Sequence, residues 1–184
     1  MRTVALIAVF VVLAGVFCGG KTGSQANKPA AMAAKWPAEA TGTLTEDELA
    51  QFVKVLPAFG AALKAASWQP TTAKEGEGSI ARLTSIIDGM HVAGVEESLK
   101  AAGASWTVLR ATMYKVFAAM SALQIDAAPP EMIAQMKADT SAEAKRGLKD
   151  YEAVKSACSM IPDANKQVVT KHQQELQALQ ALGR

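Results

Sequence analysis

Apolar positions recur at steps of three and four along most of the chain, the period of helices that turn one face to a core. Leu49, Phe52, Val53, Leu56, Phe59 and Leu63 form the first such stripe, and "TLTEDELAQF" marks its start. Thr45 is placed to accept from the N–H of Glu48 while the Glu48 side chain reaches back, and Leu44 can pack on Leu49 as a staple. Glu46, Asp47 and Glu48 also occupy the positive end of the helix dipole. Pro57 interrupts the stripe, which predicts a kink or a division into two helices. "SWQPTTAKEGEG" (67–78) reads as a loop by its Pro, Gly and Thr content. Ile80, Leu83, Ile87 and Met90 predict a second helix, and "HVAGVEESLKAAG" a short third closed by Gly103.

From Ser105 onward, Trp106, Leu109, Met113, Val116, Phe117, Met120 and Leu123 cover a wide arc, as expected of a central helix touched from more than one side. "DAAPPE" (126–131) breaks the chain, with Pro130 suited to the first turn of the next helix. Met132, Ile133 and Met136 begin the next stretch, and Tyr151, Val154, Cys158 and Ile161 finish it. Thr140 and Glu143 repeat the capping-box spacing in its middle, so the stretch is one helix or two. After "IPDANKQ", the residues Val169, His172, Leu176 and Leu179 mark a final amphipathic helix ending near Gly183. No run alternates with a period of two and no repeat of fixed period exists. The expected fold is all-α, a bundle of about five to seven helices without a sheet, one helix kinked at Pro57.

The N-terminus obeys other rules. Arg2 precedes an uncharged stretch to Gly20 whose strongly apolar part, Val4 to Phe17, is shorter than the roughly 20 residues of a comfortable membrane span. A basic n-region before an apolar h-region is the layout of a secretory signal peptide. An uncleaved membrane helix extended by Gly19 and Gly20 is the alternative. The chain divides into three regions: a signal peptide over 1–18, a flexible tether over 19–43, and a single helical domain over 44–184. At about 5–6 Å × √n, the 25 residues from Gly19 to Thr43 reach roughly 25–30 Å.

This leader and the polar "GGKTGSQANKP" after Cys18 resemble the N-terminus of bacterial lipoproteins, where a short leader ends at a cysteine that takes a thioether-linked diacylglycerol. The family pattern has Leu three residues before the cysteine and a small residue just before it; here Gly15, Val16 and Phe17 precede Cys18, and Leu13-Ala14-Gly15 sits two residues early. The resemblance covers only the first twenty or so residues. It implies lipid attachment at Cys18, the membrane as partner through that lipid, and a cell-envelope address. The competing processing is cleavage after Gly20, with Cys18 and Gly20 as the small residues, which yields a soluble periplasmic or extracellular protein.

Charge and cysteines narrow the partners. Loss of Arg2 with the leader leaves 18 basic against 17 acidic side chains, so no cationic field exists to displace phosphate counterions, and nucleic acid is not an expected partner. Once Cys18 is removed or lipidated, Cys158 has no intrachain partner and no internal disulfide is expected.

Candidate chemistry is sparse. His91 stands three residues after Asp88 and His172 three before Glu175, spacings that supply two metal ligands each but equally describe packing or solvated histidines. Met132 and Met136 are spaced i, i+4, and Met113 and Met120 share a face; thioethers select Cu(I), yet these are also core positions of a bundle. Met132, Met136 and His91 are therefore weak metal candidates, and no cofactor is expected. Cys158 shares a face with Val154 and Ile161 and reads as a small buried hydrophobe. Trp36, beside Pro37 in the tether, reads as a candidate partner contact, a membrane contact or a dock of the tether onto the domain. "GEGSI" (76–80) lacks the strand and the Lys-Ser or Lys-Thr of a phosphate loop. With no nucleophile–base pair, the expectation is a non-enzymatic interaction or structural module of the cell envelope with an envelope protein as partner. The alternative is a soluble small-molecule or metal-binding helical module.

Overall fold

The Thr45 capping box forms as its spacing predicts. The Thr45 hydroxyl accepts from the N–H of Glu48 at 3.1 Å, and the Glu48 carboxylate accepts from the N–H of Thr45 at 3.0 Å. From it α1 (Glu46–Ala65) runs through Pro57 as one element. The ring is on the exposed side of that helix, so it removes one backbone donor without disturbing the buried face. That face comprises Leu49, Phe52, Val55, Leu56, Phe59 and Leu63; Val53, counted in the stripe from sequence, is only half-buried.

The computed structural model describes residues 35–72 and 77–176. Among them there is no strand, and a 3-10 turn (Ala38–Thr41) precedes seven α-helices. After α1 come α2 (Ser79–Gly89), α3 (Val95–Ala101), α4 (Trp106–Asp126), α5 (Pro130–Ala138), α6 (Ala142–Cys158) and α7 (Asp163–Lys171). The all-α bundle expected from periodicity is what the chain adopts. Leader, Cys18 and most of the tether fall outside the described residues, as do Leu179 and Gly183.

The wide apolar arc makes α4 the centre of the bundle. It packs against the 3-10 turn, α1, α2, α3, α6 and α7, and buries Leu109, Met113, Val116, Phe117, Ala118 and Ala119 among others. The Pro129-Pro130 break separates α5 from it, and the stretch after the break is two helices. The cap dividing them sits one residue beyond the expected Thr140: Ser141 accepts from the N–H of Ala144 at 3.1 Å, and Asp139 accepts from the N–H of Ser141 at 2.8 Å. Gly103 closes α3 with a φ of 76°, a left-handed conformation that glycine adopts without strain.

The folded unit begins earlier than the sequence pattern implied. Trp36, Ala40 and Leu44 are all buried in the common core, so the tether hands over to the domain at about Trp36 and not at Leu44. Local periodicity could not reveal this, because the segment contributes isolated apolar residues to a surface built by helices far along the chain.

The start of α2 is held from a distance. Gly78 at its N-cap offers no side chain, and Asp150 of α6 takes that role, accepting from the Ser79 N–H at 3.1 Å and from the Ser79 hydroxyl. Asp150→Ala is expected to lower the unfolding free energy by about 1–2 kcal/mol, the cost of losing a cap, read as a shift in urea midpoint at unchanged slope. Asp150→Asn, which keeps one acceptor, should recover part of that loss.

Candidate functional site

An apolar groove runs between the first half of α1 and the first half of α4. Phe52 and Val55 from α1 and Leu109 from α4 form its floor, and Ala104 and Val108 its far wall. Its volume is about 270 Å³, near the lower end of small-molecule pockets, and it opens to solvent along one side. Val108 is 55% exposed, one of the two exposed large hydrophobic residues among the described ones.

Three of the polar side chains at the groove, Glu48, Gln51 and Thr112, are already occupied. Burial opposes the charge of Glu48, but the Lys115 ammonium at 2.7 Å and the Thr45 N–H outweigh it and hold the carboxyl below its ordinary range. Gln51 donates to the Gly103 carbonyl at 3.4 Å, and the Thr112 hydroxyl donates back to the Val108 carbonyl at 3.0 Å. What remains presented is mostly carbon, with Asp47 at the edge. Such a surface can bury apolar side chains of a partner.

No protein-family model, curated protein or solved structure matches this chain. The groove therefore rests on its own geometry.

A second, polar seam joins the 3-10 turn, α2 and α4. Arg110 reaches Glu39 at 3.1 Å and Asp88 at 3.5 Å and lies 5.7 Å from the centre of the Tyr114 ring. The Tyr114 hydroxyl donates to Asp88 at 2.6 Å; burial, then that carboxylate, push its pKa far up, so it stays protonated. A hydroxyl locked as donor onto an already paired carboxylate fastens helices together and is no proton acceptor.

The residues singled out from sequence scatter. His91 stacks on Trp106, ring centres 5.0 Å apart and planes 3° from parallel, and its one acidic neighbour is Glu96 at 3.8 Å. Met132 and Met136 belong to α5, which packs chiefly on α6, and both are half-buried. Nothing brings these three into one cluster, and no group of three or more His, Cys, Asp or Glu among the described residues is arranged to hold a metal.

For Trp36 the partner-contact reading is corrected, and the docking of the tether onto the domain is the reading the burial bears out. The side chain is 5% exposed, covered by this chain itself and not offered to a partner. Its indole N–H meets no conventional acceptor and faces the Cys158 thiol. Burial pushes that thiol up despite the indole contact, so Cys158 is the inert, protonated hydrophobe its neighbours implied. His172 is the other surprise. Besides Glu175, three residues along, it meets Glu46 from the start of α1, 126 residues away.

Sequence reasoning missed the groove, because its floor combines helix faces 50 to 60 residues apart. It also missed Trp68, whose indole donates to the Gly89 carbonyl at 2.7 Å and pins the residues just after α1 to the end of α2.

Proposed function

We propose that this chain is an exported, lipid-anchored protein of the bacterial cell envelope whose helical domain serves as a non-enzymatic interaction or structural module. The α1–α4 groove is the observation that carries the interaction reading: Glu48, Gln51 and Thr112 bond within the chain while carbon surface and Val108 are left toward solvent. The anchor rests on the leader ending at Cys18 and on the polar segment after it. No helix among the described residues is long and apolar enough to cross a membrane, so within this reading attachment falls to the N-terminal segment.

The test of the anchor is the intact mass of mature protein made in a bacterial host, with membrane and soluble fractions separated and Cys18→Ala alongside. The expected result is a membrane-bound species carrying acyl mass on Cys18 and a Cys18→Ala protein lacking it. An unmodified soluble species beginning at or after Gly19 would leave the second reading, a free exported binding module. The apolar lining of the groove favours that reading to the extent that it admits a small apolar ligand, which native mass spectrometry would detect as an adduct lost in Val108→Glu.

A further inference from the structure

The last turn of the described chain, His172–Leu176, hangs on one side chain with an unusual set of neighbours. His172 is the C-cap of α7, the negative end of that helix, where a cation is favoured. Its Nδ1 faces the Glu175 carboxylate at 3.1 Å, and its Nε2 meets the Glu46 carboxylate at the first position of α1. A neutral imidazole donates from only one of its nitrogens, and an ionised carboxylate only accepts. Two carboxylates on the two nitrogens are satisfied together only by imidazolium. The ring is 19% exposed, and Leu176 beyond it is buried at 2% with its N–H donated to the His172 carbonyl at 3.0 Å.

We propose that His172 is a proton-controlled clasp: its imidazolium ties the turn ending at Leu176 to the start of α1, and loss of the ring proton releases that turn.

The charged groups facing the ring are Glu46 from α1, Glu175 from its own turn, and Lys171 beside it, which reaches Glu46 at 2.8 Å. The hydrogen bond to Glu46, then that to Glu175, raise the His172 pKa above its ordinary value. The switch therefore has a fixed direction. A raised folded pKa means the clasp contributes in full below the unfolded value of about 6.5 and is lost as pH rises through the folded value. Lys171, at the end of α7, holds Glu46 at 2.8 Å independently of the ring, so α7 stays in place and the opening is confined to the turn after it. On the acid side, Lys171 first and His172 second hold the Glu46 carboxyl below its ordinary value. The clasp therefore survives acidification until Glu46 itself protonates. As pH rises through the folded midpoint, opening uncovers Leu176 and the surface of the bundle that it seals.

The experiment is an NMR titration of the His172 ring in the full mature chain, folded and in urea, with amide exchange at Leu176 measured across the same pH range. The folded midpoint should exceed the unfolded one, and Glu46→Gln should bring it back toward the unfolded value. Leu176 protection, corrected for intrinsic exchange, should fall as the ring deprotonates by about tenfold for each pH unit separating the two midpoints, because proton binding and clasp closure are linked. His172→Gln should flatten that dependence; if it perturbs folding, Glu46→Gln carries the same information. A folded midpoint equal to the unfolded one, a Glu46→Gln protein titrating like wild type, or Leu176 protection indifferent to pH would each overturn the clasp.

Discussion

Trp36→Ala is expected to cost the domain about 3–5 kcal/mol, the range for deleting a buried tryptophan. Whole domains are stable by about 5–15 kcal/mol, so the loss is large enough to leave a substantial unfolded fraction at moderate urea. Trp36 is 5% exposed, enters the core just ahead of the 3-10 turn, and lies against Cys158 at the end of α6. Removing the ring leaves a cavity in the core that the surrounding packing closes only in part. Cys158 then becomes a reporter. Its thiol is buried and held protonated, and alkylation of the Cys158 peptide, read by mass spectrometry under native conditions, should accelerate severalfold in the variant. Trp36→Phe should retain most of the stability, because the indole N–H has no conventional acceptor to lose. An unchanged urea midpoint in Trp36→Ala would mean that the segment before α1 is not part of the cooperative unit.

The second large effect is expected at Asn165. This side chain has 0% exposure and clips the same segment from α7: its Oδ1 accepts from the Leu44 N–H at 2.7 Å, and its Nδ2 donates to the Gly42 carbonyl at 2.8 Å. Asn165→Leu strands the buried Leu44 N–H, at about 1–3 kcal/mol, and the part-buried Gly42 carbonyl at a smaller cost. Asn165→Asp keeps the acceptor for Leu44 but sets a carboxylate against the Gly42 carbonyl. Its folded pKa would be raised, so the damage should be full at neutral pH and fade as pH falls through that raised value. Urea unfolding of the Asp variant at pH 4 and pH 7 checks the sign. Because Trp36 and Asn165 hold one segment, the double variant should lose less than the sum of the two single losses.

Legibility tracked sequence distance. Thr45 and Glu48 are three residues apart, and the box they make in the folded chain is the one their spacing foretold. The Pro129-Pro130 break, the Gly103 stop and the central place of α4 were equally readable, since each depends on residues within a few turns. The division of α5 from α6 was visible, though its cap fell on Ser141 and not Thr140, as adjacent hydroxyls both offer a capping oxygen. The candidate site was largely hidden. Val108 looks like any exposed residue of a helix until Phe52 and Val55 are brought beside Leu109.

The order and type of the helices, and the absence of a sheet among the described residues, were determined by the sequence alone, because helix period, caps and breakers act over a few residues. Tertiary structure alone decided that Trp36 belongs to the core, that Asp150 caps a helix 71 residues away, that Asn165 fastens the entry to α1, and that His172 meets Glu46. Each of these joins groups whose proximity no local pattern encodes; it arises only when helices bury their apolar faces together, and the polar groups trapped at their seams must then find partners wherever the packing has put them.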